Sequence, residues 1–236
     1  MAAIRLAMED PDIEWIEIDV QLSKDHVPVV IHDYTLRRTT DGKGEVKSYT
    51  AAELLTLDAG HWFSQKYQHE RIPLLEQVLQ ENRGRCRLNI ELKTDGVRYP
   101  QLEQKVVELV YAFDAQHDVV LTSFNEGALY RVRKLSDSIR TGLILDSWRS
   151  TLPMELRELD SDFLSIGYSR LNKDRTALLK AAGIQIMAWT INETKAIRKV
   201  AELDSELIIC TNYPERWKEA MQPRQSRQKT GFFLNR

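Results

Sequence analysis

The sequence predicts an α/β fold of the barrel type, a TIM (β/α)8 barrel with a small lobe inserted over the face that carries the active site. Three observations point there. Apolar strand-like runs alternate with longer amphipathic stretches, the pattern of repeated βα units around a parallel sheet. At 236 residues the chain suits one α/β domain, and barrels of this kind reach that size undivided. The stretch 33–71 breaks the alternation: it has few apolar runs and contains Gly42, Gly44 and Gly60 among polar residues, so it reads as the inserted lobe.

The barrel strands are expected at 13–20, 88–93, 119–124, 141–145, 163–168, 184–190 and 207–211. A further apolar run, Val27 to Ile31, ends in His32-Asp33 and is surplus to the alternation. It is read as the return arm of a hairpin that turns at Lys24-Asp25-His26 and folds back over the barrel mouth. Histidine tolerates the left-handed backbone of such a turn better than most residues, so His26 is assigned to the turn. Helices are expected over 74–80, 101–115, 126–135, 173–182, 193–202 and 214–221. In the second of these, Leu102, Val106, Leu109, Val110 and Phe113 recur at helical spacing and form a core-facing stripe. The domain is expected to cover 1–221, leaving 222–236 as a flexible tail with four basic residues and no acidic ones.

Composition excludes several classes. A net charge of −2 offers no basic face for nucleic acid. No apolar run approaches the roughly 20 residues that span a bilayer, and residues 1–11 lack the apolar core of a secretory signal, so a cytoplasmic protein is expected. Cys86 and Cys210 lie far apart beside strands and read as buried free thiols, with no CxxC spacing to suggest zinc. His61, His69 and His117 stand in polar or loop contexts and read as surface residues.

The chemistry-bearing residues concentrate in two strands. In IEIDV, residues 16–20, side chains alternate, so Glu17 and Asp19 share one face and Ile16, Ile18 and Val20 the other. Paired carboxylates repel, and apolar surroundings raise the cost of their charge, so the pair calls for a cation or a shared proton. The spacing alone fits equally well the solvated face of an edge strand. The strand Leu88–Lys93 changes the balance, because Glu91 and Lys93 share a face there. Two acidic strand ends and a strand-borne lysine describe a hard-cation site beside a phosphate-binding charge. His32, at the end of an apolar run, is placed to act as an acid or base.

Seven segments in order carry a family resemblance: IEIDV (16–20), SKDHVPVVIHD (23–33), RTTDGKGEV (38–46), IPLLEQVL (72–79), IELK (90–93), WTIN (189–192) and TNYP (211–214). Together they span nearly the whole chain, and it resembles the glycerophosphodiester phosphodiesterases. The resemblance implies hydrolysis of glycerophosphodiesters, such as glycerophosphocholine, to glycerol 3-phosphate and an alcohol. It implies Glu17, Asp19 and Glu91 as ligands of Ca2+ or Mg2+, Lys93 as a point charge on phosphate and His32 as one half of an acid/base pair. Phe124 and Trp189, at strand ends, would either line the substrate pocket or pack in the core. Asn212 replaces an acidic residue common in the last motif and is assigned a loop hydrogen bond. His26 stands where the family's hairpin has glycine, and Ser23 where threonine is usual.

One departure is larger. The family's first strand, which ends in His-Arg-Gly, has no counterpart, and residues 1–8 resemble the helix that follows it. The expectation is that the gene product begins upstream, where the eighth strand, the second histidine and an arginine would be found. Two other readings remain open: a non-catalytic protein that keeps affinity for metal and phosphodiester, and a related phospholipase of the same superfamily. An N-terminal extension carrying that strand should raise turnover with Mg2+ or Ca2+ and the melting temperature together. Full activity without it would mean that another residue, His26 first, replaces the absent histidine.

Overall fold

The computed structural model describes residues 1–222, so the tail expected at 222–236 lies, but for Gln222, outside the described residues. Helix α1 (Ala2–Glu9) leads into β1 (Trp15–Leu22), which turns back into β2 (Pro28–Val30). A lobe containing the short helix α2 (Ala51–Leu54) precedes α3 (Leu75–Asn82). Strands and helices then alternate: β3 (Arg87–Leu92), α4 (Leu102–Ala112), β4 (Val119–Ser123), α5 (Glu126–Leu135), β5 (Arg140–Leu145) and α6 (Leu152–Glu158). The series closes with β6 (Phe163–Gly167), α7 (Lys173–Ala181), β7 (Gln185–Trp189), α8 (Thr194–Ala201), β8 (Ile208–Ile209) and α9 (Pro214–Met221).

All of these strands form one sheet in the order β2-β1-β3-β4-β5-β6-β7-β8. Every neighbouring pair is parallel except β1 and β2, which are antiparallel with Val20 opposite Val30. The hairpin turns where the sequence indicates, with His26 in the left-handed region at φ 61° and the Ser23 amide donating to the Val27 carbonyl at 3.0 Å.

The alternation of side chains divides the sheet into two faces. Ile16, Ile18, Val20, Leu88, Ile90 and Leu92 pack outward with α3 and α4 into the largest apolar cluster. In α4 the buried stripe is Leu102, Val106, Val107 and Val110, while Leu109 and Phe113 are only partly covered. The inner face is filled by Trp15, Val120, Phe163, Met187 and Ile208, with the Trp15 and Phe163 rings 5.6 Å apart. The helices begin on local signals. Asn125 and Asn172 cap α5 and α7 by accepting from backbone amides three residues on, and Thr50 and Glu53 form a reciprocal capping box at α2.

The lobe has a core of its own, formed by Val29, Ile31, Leu36, Val46, Leu54 and Ile72. It is stitched to the hairpin by the Lys24 amide on the Tyr49 carbonyl at 2.7 Å and the Val30 amide on the Pro73 carbonyl at 2.8 Å.

Two elements differ from expectation. Helix α6 is not among the helices expected from the sequence; its Pro153 sits in the first turn, where the missing amide costs nothing. Strand β8 is limited to two paired residues, since it meets only β7.

Among the described residues no pairing joins β8 back to β1. Along that seam a cleft of about 860 Å3 opens between α1, the lobe and α9, lined by Leu6, Ile13, Trp62 and Phe63. Lys218 of α9 ties its two sides together, with Nζ 3.0 Å from both Asp10 and Asp12.

Gly142 on β5 leaves the space that the Phe163 ring fills. A Cβ there would lie 2.8 Å from a ring carbon and 2.9 Å from the Phe163 carbonyl oxygen. Gly142→Ala should therefore destabilise the fold by about 1–3 kcal/mol through overpacking. Chemical denaturation checks this, and an unchanged midpoint would mean that the inner face is not packed as described.

Candidate active site

Parallel pairing of β1 with β3 sets the register of the site. Trp15 lies opposite Arg87, Glu17 opposite Asn89 and Asp19 opposite Glu91. Odd-numbered residues of both strands share one face, so the row runs from the Trp15–Arg87 pair at the strand starts to acidic residues at their carboxyl ends. Glu17, Asp19 and Glu91 each bring a carboxylate oxygen within 4.8 Å of the others. Below them Asn89 accepts a hydrogen bond from the Thr122 hydroxyl at 2.6 Å and donates to the Met187 sulfur at 3.3 Å. That network fills the floor with groups already bonded to one another.

Lys93, just past β3, places Nζ 3.0 Å from Glu91 and 3.4 Å from Asp19, and the three side chains are only 12–15 % exposed. Three carboxylates thus face one ammonium. Burial, with the charges of Asp19 and Glu91, pushes the Glu17 carboxyl up to about 8. Burial also raises Glu91, against the pull of Lys93. For Lys93 burial opposes the charge, but Glu91 and Asp19 together outweigh it and hold the ammonium above its usual range. Such a set of hard oxygen donors with surplus negative charge fits a divalent cation of the Ca2+ or Mg2+ type.

His32 follows the hairpin arm and is 62 % exposed at the mouth. Its Nδ1 lies 2.7 Å from an Asp33 oxygen, and Arg38 grips Asp33 with Nε at 2.6 Å and Nη2 at 2.8 Å. The Arg38 hydrogen bonds, ahead of that from His32, hold the Asp33 carboxyl well below the usual carboxylate range. His32 is also near enough to Glu91 to favour the charged form of its carboxyl. Sequence alone assigns no role to Asp33 or Arg38, though both stand in matched segments. The available signal was an acid directly after the histidine and an arginine five residues on.

The remaining sequence-predicted residues fall into place unevenly. Phe124 is 51 % exposed and meets Trp189 edge to face, ring centroids 6.0 Å apart. The Trp189 Nε1 is buried and has no hydrogen-bond partner among the described residues. Asn212 makes a loop hydrogen bond through its backbone amide, which donates to Asn192 Oδ1 at 3.0 Å, an acceptor shared with the Thr211 hydroxyl at 3.3 Å. His26, His61, His69 and His117 are exposed. Cys86 and Cys210 are free thiols; burial, then Glu17 and Asp19, push the Cys210 thiol up to about 12, which keeps it protonated. The seam cleft reaches His32 at one end, but none of the three clustered carboxylates lines it.

Comparison with known proteins points to one family. The model of the glycerophosphoryl diester phosphodiesterase family matches residues 1–216. A glycerophosphodiester phosphodiesterase of Caldanaerobacter subterraneus is 34 % identical over 221 residues, covering 91 % of this chain and 88 % of that protein. Among solved structures, a phosphodiesterase of Oleispira antarctica in complex with the product sn-glycerol-3-phosphate superposes with a TM-score of 0.82 at 33 % identity. The match covers 93 % of this chain and 89 % of that one. A glycerophosphodiester phosphodiesterase of Agrobacterium tumefaciens gives a TM-score of 0.79 at 29 % identity, covering 92 % and 91 % of the two chains.

The raised carboxyl has a measurable consequence. A group whose folded pKa exceeds its unfolded value binds more protons folded than unfolded, so stability falls as pH rises between the two values. For Glu17 that window runs from about 4.5 to about 8. In chelator-treated protein, stability should decline across it, and Glu17→Gln should flatten the decline. Denaturation midpoints at several pH values check this; parallel curves for the two proteins would place the Glu17 titration elsewhere.

Proposed function

Because this chain belongs to the glycerophosphoryl diester phosphodiesterase family, we propose that its hydrolytic chemistry is carried by the inward row of β1 and β3 together with His32. The reaction is hydrolysis of a glycerophosphodiester to glycerol 3-phosphate and an alcohol. The observation that carries the residue assignment is the meeting of Glu17, Asp19 and Glu91 within 4.8 Å, with Lys93 bridging two of them.

A phosphodiester is anionic, so it resists an approaching nucleophile, and its leaving alkoxide needs a proton. Glu17, Asp19 and Glu91 would hold Ca2+ or Mg2+, which when bound neutralises a non-bridging phosphate oxygen and polarises phosphorus. Lys93 presents a mobile point charge to the same phosphate, on a stem anchored by its amide to the Val20 carbonyl at 3.0 Å. His32 moves a proton at the ester oxygen or the attacking oxygen. Asp33 holds its Nδ1 side, leaving Nε2 for the substrate, and Arg38 keeps Asp33 ionised in that role. Phe124 and Trp189 form an aromatic corner suited to the apolar part of the substrate.

Substitutions separate the roles. Glu91→Gln should abolish most cation-dependent turnover and weaken cation binding while the circular dichroism spectrum stays native. His32→Ala should lower kcat by about 10²–10⁴-fold with cation affinity nearly unchanged, as expected for loss of a general acid or base. Loss of cation binding in the histidine variant would make His32 a ligand and overturn the assignment.

A further inference from the structure

The end of the hairpin arm is held by a side chain that the chemistry above does not use. Gln21 is wholly buried on β1, two residues beyond Asp19 on the same inward face. Its Nε2 donates to three successive backbone carbonyls, those of Ile31 at 2.8 Å, His32 at 3.0 Å and Asp33 at 2.9 Å. Its Oε1 accepts from the hydroxyl of Tyr99, also buried, at 2.6 Å. Strand β2 has ended at Val30, and after the Ile31 amide donates to the Asp19 carbonyl at 3.0 Å the ladder stops. The three carbonyls therefore turn to one amide nitrogen, whose two hydrogens they share.

We propose that Gln21 and Tyr99 form a positioning clamp that sets His32 against the carboxylate cluster, an inference that rests on His32 being the acid or base. The amide is the only uncharged side chain of its size that can donate to the carbonyls and accept from the hydroxyl at once. Glutamate would turn an oxygen toward three carbonyl oxygens. Leucine would leave the carbonyls without a donor. The three carbonyls, which can only accept, fix which end of the amide is nitrogen, and the Tyr99 hydroxyl donates to the oxygen end that this leaves. Tyr99 stands in the loop after β3, the strand that bears Glu91, so the clamp joins the element carrying the histidine to both elements carrying carboxylates. The neighbouring Arg98 extends the anchorage, lying 4.4 Å over the Tyr34 ring and 3.0 Å from Glu45 of the lobe.

The test compares Gln21→Leu, Gln21→Glu and the milder Tyr99→Phe in the full chain, with three readouts. The first is the NMR spectrum of ring-labelled His32, assigned by its loss in His32→Ala. The second is Ca2+ affinity by calorimetry, and the third is kcat and KM on glycerophosphocholine. In both Gln21 variants the His32 ring signals should move toward those of an unstructured histidine while Ca2+ affinity stays within about threefold of the parent. Where turnover is measurable, kcat should fall about 10²-fold with KM little changed, the scale expected for a misplaced catalytic group. Tyr99→Phe should shift the same ring signals in the same direction by less. Native His32 signals in folded Gln21→Leu and Gln21→Glu would overturn the clamp. So would Ca2+ affinity falling in step with the melting temperature while those signals stayed native. If His32→Ala left kcat unchanged, the acid/base reading would fail on its own, and the ring spectra would still decide whether the clamp exists.

Discussion

The register between β1 and β3 is the constraint on which the rest of the molecule depends. Trp15 to Val20 pair in step with Arg87 to Leu92, and because side chains alternate, one register decides both what is buried and what is reactive. The outward residues of both strands are among the most buried in the chain, sealed against α3 and α4. A slip by one residue would drive Glu17, Asp19 and Glu91 into that cluster and turn Ile16, Ile18 and Ile90 toward the mouth. The energy that holds the carboxylates together is thus hydrophobic and lies on the opposite face of the sheet. The site itself works against folding, since three carboxylates are gathered in a partly dry place with one lysine to answer them.

The floor and the rim of the row divide that burden differently. Below the acids, Asn89 accepts from the Thr122 hydroxyl and donates to the Met187 sulfur, which ties the floor of the row together. At the rim, Asp33 and Arg38 pair with each other and take the imidazole of His32 with them. Polar groups that are fully bonded rigidify their surroundings, whereas the under-neutralised acids between them retain an appetite for a cation. Order above and below with unspent charge in the middle is what a hydrolytic site for an anionic ester requires.

Much of this was legible in the residues. The alternation of apolar runs marked the seven parallel strands, and the spacing of Glu17, Asp19, Glu91 and Lys93 marked one shared face, because both follow from local periodicity. The turn at His26 was legible because it depends on a backbone preference of one residue. What escaped depended on partners distant in sequence or on context. Gln21 looked like a polar residue on a strand, and only the folded hairpin brings three carbonyls to it. Asp33 and Arg38 acquire meaning when the loop closes on itself. Helix α6, absent from the expected elements, carries its proline in the first turn, where a missing amide is tolerated. The part played by Asn192, which accepts from the Asn212 amide, came from two adjacent strand ends, the two residues lying 20 positions apart in the sequence.

The lobe over the mouth shares its apolar cluster with Val29 and Ile31 of the hairpin arm, and backbone hydrogen bonds at its two roots, Lys24 to Tyr49 and Val30 to Pro73, join it to the barrel together with the Arg98–Glu45 ion pair. Bonds between main-chain atoms place little demand on side-chain identity. The outer surface of the lobe can therefore drift in sequence, lengthen or change its aromatic content without disturbing the pairing of β1 with β3. Evolution can reshape the rim of the mouth while the acidic row beneath stays unaltered, because the rim and the row are held by different cores.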